Sequence, residues 1–467
     1  MLLKLSKTSL YTSFFAVVVV MASTFFPFIG GKYFFFRFFV ELALAFLLLW
    51  WGFEAPRGEV ERRVMRLWKQ PLVIAVSIFV LVYLLATAFA YDSSAAFWSN
   101  YERGEGGFQM LHYYLFFLLL LTVFTEWSDW RRALRVSLAA ASLMILYGVT
   151  AQLLPGGQGI FLFVTPYQQA NPPTAVWELL TIARFQGSLG NPAYVAPYLI
   201  FSIFFTFYLW LERRATAKGW IRDALYGALV LAFIFFFFLS QTRGAFLGLA
   251  AAIVAAFGYL IAAARSRIRM LALWGLIAIF LVGGALFALK DNSFVQRLPG
   301  SRMFDISFSG DTAQTRFWTW GSALKGFRER PILGWGPENF STVFDKYFDA
   351  RHFVPGKNTE TWFDRAHSVF FGYLTETGIL GLASYLAIFF VFYRQFFKKA
   401  YANLREEKSR QKTHATLRDS IGIRALFFAM PIGYLVQGAA LFDVLPIYLN
   451  LFFFFALSSF IFHEHTT

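Results

Sequence analysis

A handful of arginines and one histidine are the residues whose types and setting could do chemistry in this chain. Arg243 lies in Ser240-Gln-Thr-Arg-Gly244, where a run ending Phe235-Phe-Phe-Phe238 gives way to the next apolar run with almost no loop. A guanidinium in a turn that short faces an anion, the headgroup zone or a water-filled cavity. Arg184, in Arg184-Phe-Gln-Gly-Ser-Leu-Gly-Asn191, precedes an apolar run in the same way, and Arg103 follows Phe97-Trp98 and leads into Gly104, Gly106 and Gly107. Arg316 falls in the first turn of a helix expected from Thr312 to Phe327, capped by Asp311 and stopped by Pro331, with Phe317, Trp320, Leu324 and Phe327 on one stripe. Beyond it, Pro331-Ile-Leu-Gly-Trp-Gly-Pro-Glu-Asn-Phe340 is a Gly/Pro-rich turn able to bring backbone amides close to a ligand.

Of the six histidines, His367 in Asp364-Arg-Ala-His-Ser-Val-Phe370 is the best placed. If Asp364 caps the following helix, His367 occupies its first turn, where the positive helix end disfavours imidazolium and keeps a neutral, base-competent ring. Guanidinium forks suit phosphate oxygens and stay charged at membrane depth. Two or three arginines could stabilise a diphosphate leaving group in place of a divalent metal, while His367 takes a proton from an acceptor hydroxyl. The plainer alternatives are lipid-phosphate anchors for the arginines and a structural role for the histidine. Glu376 reads as a helix end or as a catalytic carboxylate. Arg37 and Glu41 have the i, i+4 spacing of a self-neutralising pair. No HExxH, Walker or dinucleotide-binding motif is present, and zero cysteines exclude disulfides, thiolate metal sites and Cys nucleophiles. No metal and no cofactor are expected.

The elements that must position these groups follow from composition. The chain of 467 residues is 58% apolar, 21% aromatic and only 15% charged, which makes an ordinary soluble enzyme and a disordered chain equally poor readings. Its apolar residues run in bilayer-spanning blocks, predicted at 10–29, 33–53, 71–90, 109–126, 135–154, 193–211, 223–240, 245–263, 270–289, 373–393, 425–440 and 446–462. The expectation is therefore an all-α polytopic membrane protein of about twelve transmembrane helices. Spans one to nine lie in 1–289 with an outer loop at about 155–191, a large extracytoplasmic loop domain covers 290–372, and spans ten to twelve fill 373–467 around a basic loop at 394–424. The net charge of +15 gathers in segments on one side, among them Arg57 to Lys69, Arg131 to Arg135 and Arg394 to Arg424, leaving single basic residues such as Lys32, Arg103, Arg184 and Arg243 opposite. That asymmetry predicts cytoplasmic N- and C-termini and removes the need for a nucleic-acid partner. The first apolar run is expected to be an uncleaved span rather than a signal peptide.

These residues resemble the O-antigen ligase and polymerase superfamily, bacterial inner-membrane glycosyltransferases that use polyprenyl-diphosphate glycans as donors. The similarity runs in order through Phe97 to Arg103, Arg184 to Asn191, Ser240 to Leu249, Arg316 to Phe340 and His367 to Gly381, most sharply in Thr242-Arg-Gly-Ala-Phe-Leu-Gly248, Pro331-Ile-Leu-Gly-Trp-Gly336 and Glu376-Thr-Gly-Ile-Leu-Gly381. It implies that Arg243 and Arg316 hold the diphosphate, to which the setting of Arg184 and Arg103 adds two further candidates. His367 is then the acceptor-activating residue in a metal-independent inverting transfer; Asp364, Arg365 and Glu376, close to it in the sequence, are candidates to support it. Ser368 departs from the family pattern, which usually has Asn there. The implied partners are the lipid-linked glycan donor, a glycan, lipid or protein acceptor, and the bilayer. Ligase, polysaccharide polymerase and protein O-oligosaccharyltransferase share this chemistry, and a non-enzymatic transporter or flippase of the same anion is the alternative from another class.

Overall fold

The computed structural model describes residues 1–467 except 22–23, 25, 101–103, 154–183, 215–218, 299, 305–310, 354–360, 409–419 and 464–467. Among the described residues the regular structure is helical throughout, with no strand. Among the described residues ten helices are long and apolar enough to cross a membrane: Gly30–Phe53, Pro71–Ala88, Trp127–Ala151, Pro192–Arg214, Trp220–Leu239, Arg243–Ala263, Ser266–Ala288, Gly378–Ala400, Ile421–Gly438 and Leu445–His463. An eleventh apolar helix, Gly107–Val123, is shorter and takes the place of the span expected at 109–126.

The span expected at 10–29 is not one helix. Leu2–Ser13 is α-helical and passes into a 3₁₀ turn at Phe14–Val18, after which Val19 is extended. Thr8, Ser9 and Thr12 return their hydroxyls to carbonyls one turn back, which loosens the ladder, and the following valines favour extended backbone. The span expected at 373–393 is also divided. One helix, Val369–Glu376, ends at Thr377, and Gly378, at a left-handed φ of 66°, starts the next.

The chain forms two compact units. The first comprises Met1–Ala133, Ser307–Phe392 and Gly438–Thr467. Within it, Gly30–Phe53 buries Tyr33, Phe36, Val40, Ala43, Leu47 and Trp50, a stripe at three- and four-residue spacing, and exposes Phe34, Phe38, Leu48 and Trp51 on its other faces. Aromatic rings fill the interior: Phe36 and Phe14 meet Phe116 edge-on, Tyr113 stacks on Tyr448, and Phe79 meets Tyr373. Each such contact adds on the order of 1 kcal/mol to its area burial. The second unit comprises Leu134–Ile306 and Tyr393–Gln437. In it Phe204 packs edge-on against Phe427, and the Tyr259 and Phe428 rings meet tilted at 5.3 Å.

The helix expected at 312–327 forms as Asp311–Glu329, Pro331 lies just beyond its end, and the face it buries is made of small residues. Thr315, Thr319, Ser322 and Ala323 are buried, whereas Phe317 and Leu324 are exposed. Small residues on that face admit the helix Val369–Glu376 at close range: the Thr375 hydroxyl donates to the Ala323 carbonyl at 3.3 Å.

Candidate active site

The segment around His367 is built by three neighbours in the first unit. Ser368, extended, caps Val369–Glu376, so His367 sits just outside the helix and not in its first turn. Its φ of 51° explains the difference, since a residue in the left-handed region cannot continue a right-handed helix. A non-glycine residue there is strained and is held by its surroundings. His367 Nδ1 lies 3.1 Å from the Arg365 carbonyl. A carbonyl only accepts, so Nδ1 carries the proton and the neutral ring has its lone pair on Nε2. Phe363 and Phe442 meet the imidazole edge-on, each at 5.2 Å.

The Arg365 side chain is 13% exposed and binds three carboxylates: Glu105 at 3.0 Å, Glu376 at 3.5 Å, and Glu338. Glu105 also accepts from the Tyr33 hydroxyl, and Glu338 from Ser99 at 2.8 Å. Burial works against the guanidinium charge, but Glu338, Glu376 and Glu105 outweigh it and hold Arg365 well above the usual arginine range. Glu376, outside the span that begins at Gly378, is pushed up to about 8 by burial, with Arg365 pulling the other way. The cluster therefore holds a proton at neutral pH, which relieves the excess of acids over bases. Among the described residues no group of three or more His, Cys, Asp or Glu side chains has the arrangement to hold a metal ion; these carboxylates converge on a guanidinium.

Glu338 is delivered by the Gly/Pro-rich turn, and the amides of that turn have a different use from the one expected. Trp335 N donates to the Thr375 carbonyl at 2.9 Å and Gly336 N to the Glu376 carbonyl at 2.8 Å. They satisfy carbonyls that a helix end leaves open, and are thereby taken from any ligand. Gly334, at φ 69°, makes this docking possible: a Cβ there would stand 2.5 Å from backbone atoms of Thr375 and Glu376. From the other side, Trp320 Nε1 donates to the Ala366 carbonyl at 2.9 Å while its ring stacks on Phe371 at 4.9 Å. Arg316 precedes Trp320 by one turn on the same helix, which puts the two on one face.

In the second unit the turn Ser240–Thr242 links the helices Trp220–Leu239 and Arg243–Ala263. Arg184 is stitched to it, with Nε donating to the Ser240 carbonyl at 3.3 Å, Nη2 to the Thr242 hydroxyl at 3.5 Å, and Phe185 N to the Leu239 carbonyl at 2.9 Å. Arg243 is the first residue of its helix, where backbone amides and the positive helix end already favour an anion. Arg184 and Arg243 thus share one turn, whereas Asp364, Arg365, His367 and Glu376 form a cluster in the first unit, which also holds Arg316. Arg103 lies outside the described residues.

The family finding concerns this set. Residues 227–386 match the family model described as O-antigen ligase. The match, over about a third of the chain, supports membership of the O-antigen ligase superfamily. The matched O-antigen ligase region contains Arg243, Arg316, Glu338, Arg365, His367 and Glu376, and leaves out Arg184 and Glu105. The match, with ten candidate spans among the described residues, supports a multi-pass membrane protein of the glycosyl-transferring, O-antigen ligase type in surface-polysaccharide biosynthesis. No curated protein matches the chain.

Sequence reasoning missed Glu105 and Glu338. Both stand in Gly-rich turns of an apolar chain, in Gly104-Glu-Gly-Gly107 and Gly334-Trp-Gly-Pro-Glu338, and that was the available signal. The Arg37–Glu41 pair also resolves differently. Arg37 donates to Gln109 at 2.6 Å and to the Gly104 carbonyl at 2.7 Å, whereas Glu41 meets His112 at 2.8 Å. Both side chains bond to the neighbouring chain segment, against which the helix they share packs, so the two interact through charge alone and not through a direct bond.

Proposed function

We propose that the protein transfers a glycan from a polyprenyl diphosphate to an acceptor hydroxyl at the outer face of the bacterial cytoplasmic membrane, without a metal and with inversion at the sugar carbon. The N- and C-termini lie in the cytoplasm, and the region 290–372 is extracytoplasmic. His367 Nε2 takes the acceptor proton as the acceptor oxygen forms its bond to the anomeric carbon. The bond from that carbon to the diphosphate breaks, and polyprenyl diphosphate leaves with the electron pair. Arg243, Arg184, Arg316 and Arg103 bind the diphosphate and stabilise the charge that builds on it. The proton passes from the imidazolium to solvent. The observation that carries this reading is the tautomer: the bond from His367 Nδ1 to the Arg365 carbonyl leaves Nε2 as the basic nitrogen.

The test uses the full-length protein in lipid nanodiscs with a polyprenyl-diphosphate glycan and a hydroxyl acceptor, following free polyprenyl diphosphate and the anomeric configuration of the product. Release coupled to an inverted linkage supports the proposal. Donor binding without release points to a transporter, and a retained configuration rules out single displacement.

A further inference from the structure

The backbone turn that carries His367 is clamped from two sides, and we propose that Arg365 and Trp320 are positioning residues that aim its Nε2. This rests on His367 being the base. The Arg365 carbonyl is the acceptor for His367 Nδ1 at 3.1 Å, so whatever fixes residue 365 fixes the rotation of the imidazole. The Arg365 side chain is tied to carboxylates from three separate stretches of chain: Glu105 ahead of the helix Gly107–Val123, Glu338 in the Gly/Pro-rich turn, and Glu376 at the end of Val369–Glu376. The next carbonyl, Ala366, is held by Trp320 Nε1 at 2.9 Å. Two consecutive peptide groups are thus pinned immediately before a histidine whose φ of 51° needs external restraint.

Stability alone does not account for the arrangement. Buried ion pairs are often no more stabilising than apolar replacements, and burying three acidic side chains around one base carries a desolvation cost even with one of them protonated. A guanidinium presents five N–H groups in a fixed plane and can address three carboxylates from different directions, which an ammonium cannot do with the same rigidity. The geometry gained is an orientation, and orientation is what a general base needs.

The experiment compares Arg365→Lys, Trp320→Phe and His367→Ala, singly and combined, in nanodiscs, measuring kcat, KM for the donor and Tm. Arg365→Lys keeps the charge and loses the fork; Trp320→Phe keeps the ring on Phe371 and loses the N–H, and it probes the same turn if Arg365→Lys fails to fold. Arg365→Lys is expected to lower kcat on the order of 10- to 100-fold with KM within about twofold, and Trp320→Phe by about 3- to 10-fold through loss of one hydrogen bond. In the His367→Ala background neither adds to the loss of residual transfer, because both act through that ring. Parental kcat in both single variants, or a full additional loss in the His367→Ala background, overturns the positioning role while leaving His367 as the base. Full activity in His367→Ala overturns the underlying reading, and the positioning role with it.

Discussion

Gly334→Ala perturbs one methyl group and should disable a site several residues away. A Cβ at position 334 would stand 2.5 Å from the Glu376 carbonyl carbon and the Thr375 oxygen, backbone atoms that cannot rotate aside. The residue is also left-handed, at φ 69°, which costs a non-glycine residue about 1–2 kcal/mol before any contact is counted. If the turn lifts to relieve the overlap, the bonds from Trp335 N and Gly336 N to Thr375 and Glu376 break, at about 0.5–1.5 kcal/mol each. The sum is about 2–5 kcal/mol. Because Glu338 rides on the same turn, its ion pair with Arg365 goes as well. The expected result in nanodiscs is a Tm several degrees lower and transfer reduced at least as much as in Glu338→Ala. Parental Tm and parental transfer together would refute the docking of this turn on the helix end.

Other substitutions test separate parts of the account. Glu376, raised to about 8 by burial, keeps its proton in the folded protein where the unfolded chain, at about 4.3, has lost it. Its stabilising contribution is therefore full below about pH 4.3 and declines as pH rises towards 8, by up to about 1.4 kcal/mol per pH unit. Glu376→Gln imitates the protonated form and should flatten the Tm-versus-pH curve over that window; an unchanged slope would contradict a protonated Glu376. Arg243→Ala, at the start of a helix and facing the proposed diphosphate, should lower kcat/KM for the donor by about 10²-fold with little change in Tm. Ser368→Asn places a good capping residue at a position whose hydroxyl makes no side-chain cap, and should leave Tm unchanged or up to about 1 kcal/mol more stable, read by thermal unfolding.

Much of the fold was legible because a bilayer demands length and apolarity, and those are properties of a segment in isolation. Ten helices and the apolar helix Gly107–Val123 stand where such runs stand in the sequence. Where a helix breaks is less legible. The end of Leu2–Ser13 and the stop at Thr377 depend on hydroxyls, β-branched runs and a left-handed glycine, which hydropathy does not register. At the site, the histidine and arginines were visible as isolated polar residues in an apolar chain. Their partners were not: Glu105 lies 260 residues from Arg365, and an acid in a glycine-rich turn looks solvated until the fold buries it. The strained φ of His367 is imposed by contacts at residues 365 and 366, so local propensity pointed instead to a helical first turn. The buried face of Asp311–Glu329 likewise depends on the shape of its neighbour, which takes the small residues Thr315, Thr319, Ser322 and Ala323 while Phe317 and Leu324 stay exposed.

The central claim is that His367 is the general base, and single-turnover transfer tests it most directly. With donor and acceptor bound to the nanodisc-embedded protein, His367→Ala should form product at least about 100-fold more slowly than the parent while binding the donor equally well. A rate within about twofold of the parent at unchanged donor affinity would contradict it.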